Sequence, residues 1–198
     1  MHRLVLMPLA ASILALLLAA PVVAQEDAAA YRETELGLYV SAVEAHDLMT
    51  ANQRAVLVDV RDPVEIKFTG FAEDTDIHVP WVLADTSRFN DEDGSWPMVK
   101  NSDFDEQIKA RFAELGVTPD DPIIVMCRSG STRSAPAADA IHAMGYGEVY
   151  SVTDGFEGST LKEGNSQGVR AVNGWRNSGL PWSYSIDSSV AWTSEQAE

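Results

Sequence analysis

Two short runs of apolar, mostly β-branched residues constrain the fold of this chain most strongly. They are residues 55–60 (AVLVDV) and residues 123–127 (IIVMC). Runs of this kind are typical of strands that are buried on both faces, as the strands of parallel sheets are. Pro63 follows the first run and prevents its continuation as a strand. The sequence therefore predicts a sheet whose central strands are covered on both sides.

Helical patterns alternate with these runs. Ser41 and Glu44 form a capping box that predicts the start of a helix, and Asp103 and Gly116 are placed to cap and to end another. Helices are predicted over residues 41–49, 103–115, 134–144 and 174–178, and further strands over residues 76–80 and 148–152. Strands that alternate with helices in this way predict an α/β fold with a parallel sheet.

The N-terminus has the pattern of an export signal. His2 and Arg3 precede the uncharged apolar residues 4–20, and Pro21 and small residues follow up to Ala24. We expect a signal peptide over residues 1–24 and a periplasmic or secreted protein. An uncleaved membrane anchor is the alternative, since about 20 apolar residues span a bilayer. The protein would contact a membrane only in that second case.

The rest of the chain divides into a lead-in, a domain and a tail. Residues 25–40 begin with a polar, aperiodic stretch and are expected to be a flexible lead-in. Residues 41–184 carry the predicted elements and are expected to form one domain. Within this domain, residues 85–101 are rich in Asp, Asn, Ser, Gly and Pro and predict a surface insertion. Residues 185–198 are expected to be a C-terminal tail.

The charge and the cysteine count exclude several classes of function. The chain carries 14 Lys and Arg against 30 Asp and Glu, a net charge of −16. Nonspecific binding to nucleic acid depends on basic patches, so no nucleic-acid partner is expected. A single cysteine excludes an internal disulfide framework and a thiolate zinc cage. His46, His78 and His142 share no ligand spacing, so no metal and no cofactor are predicted.

The most informative segment is the loop between the strand at residues 123–127 and the next helix. Cys127 ends a buried parallel strand, at the edge where α/β proteins bind ligands. The loop consists of Arg128, Ser129, Gly130, Ser131, Thr132 and Arg133. Its small residues let backbone N–H groups point at one anion, and the helix N-terminus and two arginines add positive charge. We therefore expect a pKa for Cys127 below the ordinary value of about 8.5, and a nucleophilic thiolate in an anion-binding cradle.

A purely structural role for Cys127 is the alternative to a catalytic one. A free cysteine at a strand end is most often a small buried hydrophobic residue. The two arginines favour a functional site, because the local sequence offers neither of them a carboxylate partner. Ser129, Ser131 and Thr132 are candidates for hydrogen bonds to substrate oxygens, although a tight loop alone would also account for their small size.

Several stretches of the chain resemble the signatures of the rhodanese-like domain family. They are VLVDVR at residues 56–61 followed by Glu65, IVMCRSG at residues 124–130 followed by Arg133, and the closing segments at residues 154–156 and 174–181. The resemblance covers about residues 41–184. It implies a doubly wound α/β domain in which the loop cysteine carries sulfane sulfur as a persulfide, from a donor such as thiosulfate to a nucleophilic acceptor.

The chain departs from the family pattern in two places. The usual Gly-His-Ile-Pro-Gly-Ala stretch is replaced at residues 68–81, so the neighbouring wall of the site differs. Five residues separate Cys127 from Arg133, where many sulfurtransferases of the family have four. The resembling phosphatases and arsenate reductases use this longer spacing to hold a tetrahedral oxyanion. An oxyanion enzyme that uses the same cysteine and arginine is therefore the alternative.

Sulfur transfer is the favoured interpretation on chemical grounds. Cleavage of a phosphate ester benefits from a positioned acid, and neither the loop nor its immediate flanks contain Asp or Glu. Sulfite that leaves thiosulfate needs no proton and benefits from a cation such as Arg128. We expect a small anionic sulfur donor and a thiol or protein acceptor. A module that binds and delivers sulfane sulfur without turnover is a third interpretation.

Asp59 and Arg61 follow the first apolar run and are expected to support the site. The carboxyl ends of neighbouring parallel strands lie close together, so both side chains are candidates to shape the pocket. The alternative is that Asp59 only braces the turn that follows its strand.

Overall fold

The structure is a computed structural model that describes residues 33–194. The predicted signal peptide at residues 1–24 lies outside the described residues, as do residues 25–32 of the predicted lead-in and residues 195–198. Within the described range, no helix is long and apolar enough to cross a membrane.

A five-stranded parallel sheet forms the centre of the molecule. Its strands are β1 (Tyr39–Val40), β2 (Val56–Asp59), β4 (Ile77–His78), β7 (Ile123–Met126) and β8 (Val149–Val152). Two antiparallel pairs lie outside it and join β3 (Phe71–Ala72) to β9 (Trp182–Ser183) and β5 (Val82–Ala84) to β6 (Met98–Lys100). The helices are α1 (Ala42–Ala51), α2 (Pro63–Thr69), α3 (Phe104–Leu115) and α4 (Ser134–Ala143). The predicted α/β fold with a parallel sheet is confirmed.

The strand order creates a crevice at the carboxyl edge of the sheet. The order is β1-β8-β7-β2-β4, so the chain leaves β2 toward β4 on one side and later returns to β7 on the other. Asp59 at the end of β2 pairs with Met126 at the end of β7. The residues that follow these two strands therefore emerge side by side at a switch point, where open α/β sheets bind ligands.

Apolar packing covers both faces of the sheet. Every residue of β2 and β7 is buried, as the two apolar runs predict. Val58 and Val125 pack in one cluster with residues of α3 and α4. Leu57 and Ile124 pack on the opposite face in a cluster that contains α1 residues and Trp175. The alternation of side chains along each strand thus serves two layers of the core.

The helix ends agree only in part with the predicted caps. The backbone N–H of Glu44 donates to Ser41 Oγ, and the Glu44 carboxylate accepts from the Ser41 N–H, so the capping box of α1 is confirmed. Gly116 ends α3 in the left-handed conformation, as predicted, at φ +66°. Asp103 occupies the N-cap position of α3, as predicted, but its side chain makes no capping hydrogen bond, because its backbone is not extended there (φ −97°, ψ 7°).

Two further local predictions differ from the structure. Residues 174–178 form turns rather than a helix, because the N–H groups of Trp175 and Arg176 donate to the carbonyls of Gly155 and Phe156. The described end of the lead-in, residues 33–40, is not a free segment. It contains β1, which pairs in parallel with β8, and the Ser151 N–H donates to the carbonyl of Leu38.

The predicted insertion at residues 85–101 lies at the surface, but much of it is a hairpin. Strand β6 pairs with β5, and a bridge between Asn90 and Ser95 closes the tip. Asn101 at the end of the segment is buried, and its side-chain amide donates to the carbonyl of Pro80. The polar composition therefore reflects an exposed hairpin that is tied to the domain at its base.

The described part of the predicted tail packs on the domain. The Trp192 N–H donates to His78 Nδ1 at 3.3 Å, and the Trp192 indole N–H donates to the side chain of Gln107. Trp192 also packs against the core cluster under α3 and α4. Residues 185–194 are therefore part of the folded unit, although the polar composition of this segment does not predict such packing.

Candidate active site

Cys127 stands directly after β7 at the centre of the carboxyl edge. Its side chain is 1% exposed and belongs to the core cluster under α3 and α4. The Ser134 hydroxyl, at the first residue of α4, donates to the Cys127 sulfur at 3.0 Å. The backbone N–H groups of Ser129 and Ser134 also hydrogen-bond to this sulfur. One hydroxyl and two backbone N–H groups therefore surround the sulfur.

These contacts favour the thiolate. Burial opposes ionisation of Cys127, but the Arg133 charge, the Ser134 hydroxyl and the N–H groups of Ser129 and Ser134 outweigh it and lower the pKa of the thiol. The direction agrees with the expectation from the loop sequence. A lowered pKa increases the fraction of the thiol that is present as nucleophilic thiolate.

Two glycines give the loop its close-packed course. Gly130 adopts φ +74°, and a Cβ atom there would lie 2.0 Å from the carbonyl oxygen of Thr153. Gly155 adopts φ +63°, and a Cβ atom there would lie 2.5 Å from the carbonyl oxygen of Cys127. The N–H groups of Phe156 and Glu157 then donate to the carbonyls of Cys127 and Arg128. The loop is thus braced along its backbone by the segment after β8.

Arg133 is paired with a carboxylate from α2. Its Nη1 donates to one carboxylate oxygen of Glu65, and its Nη2 donates to the other at 2.8 Å. Burial alone would raise the pKa of Glu65, but the Arg133 hydrogen bonds and charge lower it. Both side chains are at most one-fifth exposed. Glu65 lies 68 residues before Arg133 in the chain, so the sequence near Arg133 does not show this partner.

Arg128 is also paired with a distant carboxylate. Its Nε donates to Glu157, whose other carboxylate oxygen accepts from Arg176 at 2.7 Å. The Glu157 side chain is 6% exposed, whereas that of Arg128 is 41% exposed. Glu157 therefore holds one end of the guanidinium while much of the Arg128 side chain faces solvent.

A cavity of about 670 Å³ opens in front of the loop. The loop side of this cavity is lined by Arg128, Ser129, Ser131, Thr132 and Arg133, and Arg170 adds a third arginine. Cys127 lies behind this wall rather than in it. Arg170 donates to the carbonyl of Gly158, and within residues 33–194 it makes no salt bridge.

Asp59 and Arg61 support the site from behind and do not line the cavity. Both are fully buried, and Arg61 Nε lies 2.9 and 3.0 Å from the Asp59 carboxylate oxygens. The Arg61 guanidinium also donates to Thr69 and Gly70 and lies 4.0 Å from the centre of the Phe156 ring. The pair therefore joins the end of α2 to the segment that braces the loop.

Several site residues escape sequence reasoning. Arg170 and Arg176 lie in a segment without a periodic pattern, and Glu157 is separated from Arg128 by 29 residues. Glu65 belongs to the first family signature, but its pairing with Arg133 is visible only in three dimensions. Within the described part of the chain, no group of three His, Cys, Asp or Glu side chains is arranged to hold a metal ion.

Comparisons with known proteins support the motif resemblance. The rhodanese-like domain family matches residues 41–161. An uncharacterized protein from Rickettsia conorii is 30% identical over 148 residues, which cover 73% of this chain and 96% of the relative. The crystal structure of Rv0390 from M. tuberculosis has a TM-score of 0.57 and 29% identity, and the match covers 78% of this chain and 99% of that one. The chain belongs to the rhodanese-like domain family.

Proposed function

We propose that the protein is a sulfurtransferase that moves sulfane sulfur from a small anionic donor, such as thiosulfate, to a nucleophilic acceptor through a persulfide on Cys127. The observation that carries the proposal is a buried thiol whose ionised form is favoured by Arg133, the Ser134 hydroxyl and two loop N–H groups. Family membership supports the same class of reaction.

The reaction divides into two displacements at sulfur. The Cys127 thiolate attacks the outer sulfur of thiosulfate, the bond between the two donor sulfurs breaks, and sulfite leaves with the electron pair. The N–H groups that surround the thiolate then stabilise the persulfide anion. In the second step a nucleophile attacks the outer sulfur of the persulfide, and the electron pair of the broken bond returns to Cys127.

The arginines of the cavity suit the departure of an anion. Arg128 and Arg170 line the same cavity, and the Arg128 side chain is 41% exposed. A sulfite ion that leaves the buried sulfur passes these cations and needs no proton. The reaction therefore requires positive charge and N–H donors, which the loop supplies, and does not require a general acid.

The carboxylates of the cavity weigh against phosphate-ester or arsenate chemistry. The two that line it are Asp62 and Glu65. The Asp62 oxygens accept from the N–H groups of Val64 and Ala84, and Glu65 is held ionised against Arg133. Neither is placed as a proton donor for a leaving oxygen. The Arg133 nitrogens that would clamp a tetrahedral oxyanion are occupied by Glu65 as well.

The test is the intact mass of the chain from residue 25 onward after treatment with thiosulfate. We expect a gain of one sulfur atom that cyanide removes as thiocyanate and that the Cys127→Ser variant does not show. A phosphate-ester and an arsenate assay run in parallel. Turnover in those assays without sulfur gain would refute the proposal in favour of the oxyanion enzyme. Sulfur gain without release to any small acceptor would instead indicate a delivery module.

A further inference from the structure

The hairpin of residues 82–100 contributes an apolar wall to the cavity. Its lining residues are Val82, Ala84 and Met98, and Trp81 and Val64 continue the same wall. Met98 and Val64 are exposed, at 47% and 59%. The cavity is thus lined by three arginines and by apolar side chains, besides the carboxylates of Asp62 and Glu65.

The strand pairing explains how the hairpin presents this wall. In β5 and β6 the register places Ala84 opposite Met98, and Leu83 opposite Val99. Because side chains alternate across a strand, Val82, Ala84 and Met98 share one face of the hairpin, and Leu83 and Val99 lie on the other. Only the first face lines the cavity. Met98 and Val99 are neighbours of similar exposure that point to opposite sides, which makes them a matched pair.

The cavity is large for the sulfur donor alone. Its volume of about 670 Å³ lies within the range of about 300–1,000 Å³ that is typical of sites for organic ligands. Thiosulfate, sulfite and cyanide have no apolar part that would contact Met98 or Val82. An acceptor with an apolar chain would bury that surface, and a carboxylate on the acceptor would complement Arg170, which makes no salt bridge within the described residues.

We propose that this cavity binds the sulfur acceptor, and that the acceptor is a small organic thiol with an apolar chain and an anionic group. The proposal rests on the proposed sulfurtransferase function. The apolar chain contacts the Met98 face of the hairpin, and the anionic group lies toward Arg128 and Arg170. The hairpin therefore selects the acceptor in the second half-reaction and has no part in the loading of sulfur.

The transfer step balances without a further reagent. The acceptor enters as a thiol and its proton passes to the outer sulfur of the Cys127 persulfide anion. The acceptor thiolate then attacks that sulfur, and a new sulfur–sulfur bond forms between the acceptor and that sulfur. The bond from this sulfur to Cys127 breaks, and its electron pair regenerates the Cys127 thiolate. The acceptor leaves as a persulfide that carries the proton. The groups that lower the pKa of Cys127 make it a good leaving group in this step.

The experiment measures the two half-reactions separately. Unchanged protein, Met98→Gln and Val99→Gln are loaded with thiosulfate, and loading is read as intact mass. The loaded proteins are then discharged with cyanide, with mercaptocarboxylates of increasing chain length and with mercaptoalcohols of the same lengths. In the wild-type protein we expect the rate of discharge to increase with the chain length of the thiol, by up to about fourfold for each methylene group that becomes fully buried.

The variants separate the hairpin face from general effects. Met98→Gln should lose at least half of the effect of acceptor chain length on the rate of discharge. Val99→Gln should behave like the unchanged protein throughout. Arg170→Gln should reduce the preference for carboxylates over alcohols. A flat chain-length series in normally loaded protein, or equal effects at Met98 and Val99, would overturn the acceptor proposal alone. Absence of loading in unchanged protein would refute the sulfurtransferase function itself.

Discussion

The hydrogen bond from Ser134 to Cys127 gives the sharpest test of how the thiolate is stabilised. Ser134→Ala removes the hydroxyl that lies 3.0 Å from the sulfur and leaves the Ser134 N–H in place. Ser134 is fully buried, so no water replaces the lost donor. A hydrogen bond to a charged group contributes about 1.5–3 kcal/mol, so ionisation of Cys127 should become about 10-fold to 100-fold less favourable. The pKa of the thiol should therefore rise.

The assay is a pH titration of the ultraviolet absorbance of the thiolate. Cys127 is the only cysteine of the chain, so a single thiolate contributes to the signal below about pH 10, where tyrosines begin to ionise. Ser131→Ala is the matched control, because its hydroxyl pairs with that of Ser129 at 2.8 Å and not with the sulfur. It should leave the titration midpoint unchanged. An unchanged midpoint in Ser134→Ala, or an equal shift in both variants, would refute this account of the thiolate.

Three further predictions follow from the ion pair, the loop glycine and the buried histidine. Glu65→Gln leaves Arg133 without its charge partner, so urea titrations should show a free energy of unfolding that is lower by about 2–4 kcal/mol. As a control, Glu114→Gln in the exposed pair with Arg111 should lower it by less than about 1 kcal/mol. Gly130→Ala should abolish sulfur loading, because its Cβ would meet the Thr153 carbonyl at 2.0 Å; Gly116→Ala, with φ +66° and open space around it, should only cost about 1 kcal/mol of stability. Burial lowers the pKa of His78 in the folded protein below its ordinary value of 6.5. As the pH falls, the unfolded chain is therefore protonated at His78 before the folded protein is, so the free energy of unfolding should decrease as the pH drops below 6.5. Denaturant titrations across that window should show a smaller loss for His78→Gln, and an equal loss would contradict the assignment.

The layout of the sheet and the position of the loop could be predicted from local patterns. Buried parallel strands show themselves as apolar runs, and Cys127 at the end of one such run identifies the functional edge. The pairs Glu65–Arg133 and Glu157–Arg128 could not be predicted, because each joins segments that approach only after the sheet has formed. The hairpin of residues 82–100 could not be predicted for a different reason. Its tip is polar, and β5 and β6 are each only three residues long, which is too short for an alternating pattern to stand out.

The distant ion pairs concentrate positive charge around the loop of a strongly acidic chain. The net charge of −16 opposes an approaching anion, but at physiological salt this field decays within about 8 Å. Around the loop, Arg128, Arg133, Arg170 and Arg176 face the carboxylates of Asp62, Glu65 and Glu157, which leaves one positive charge in excess within this cluster. This charge balances the Cys127 thiolate or its persulfide. The carboxylates hold the arginines in place, and the sulfur depends on short-range N–H and hydroxyl donors. We therefore expect added salt to slow the capture of thiosulfate while it leaves the thiolate titration nearly unchanged.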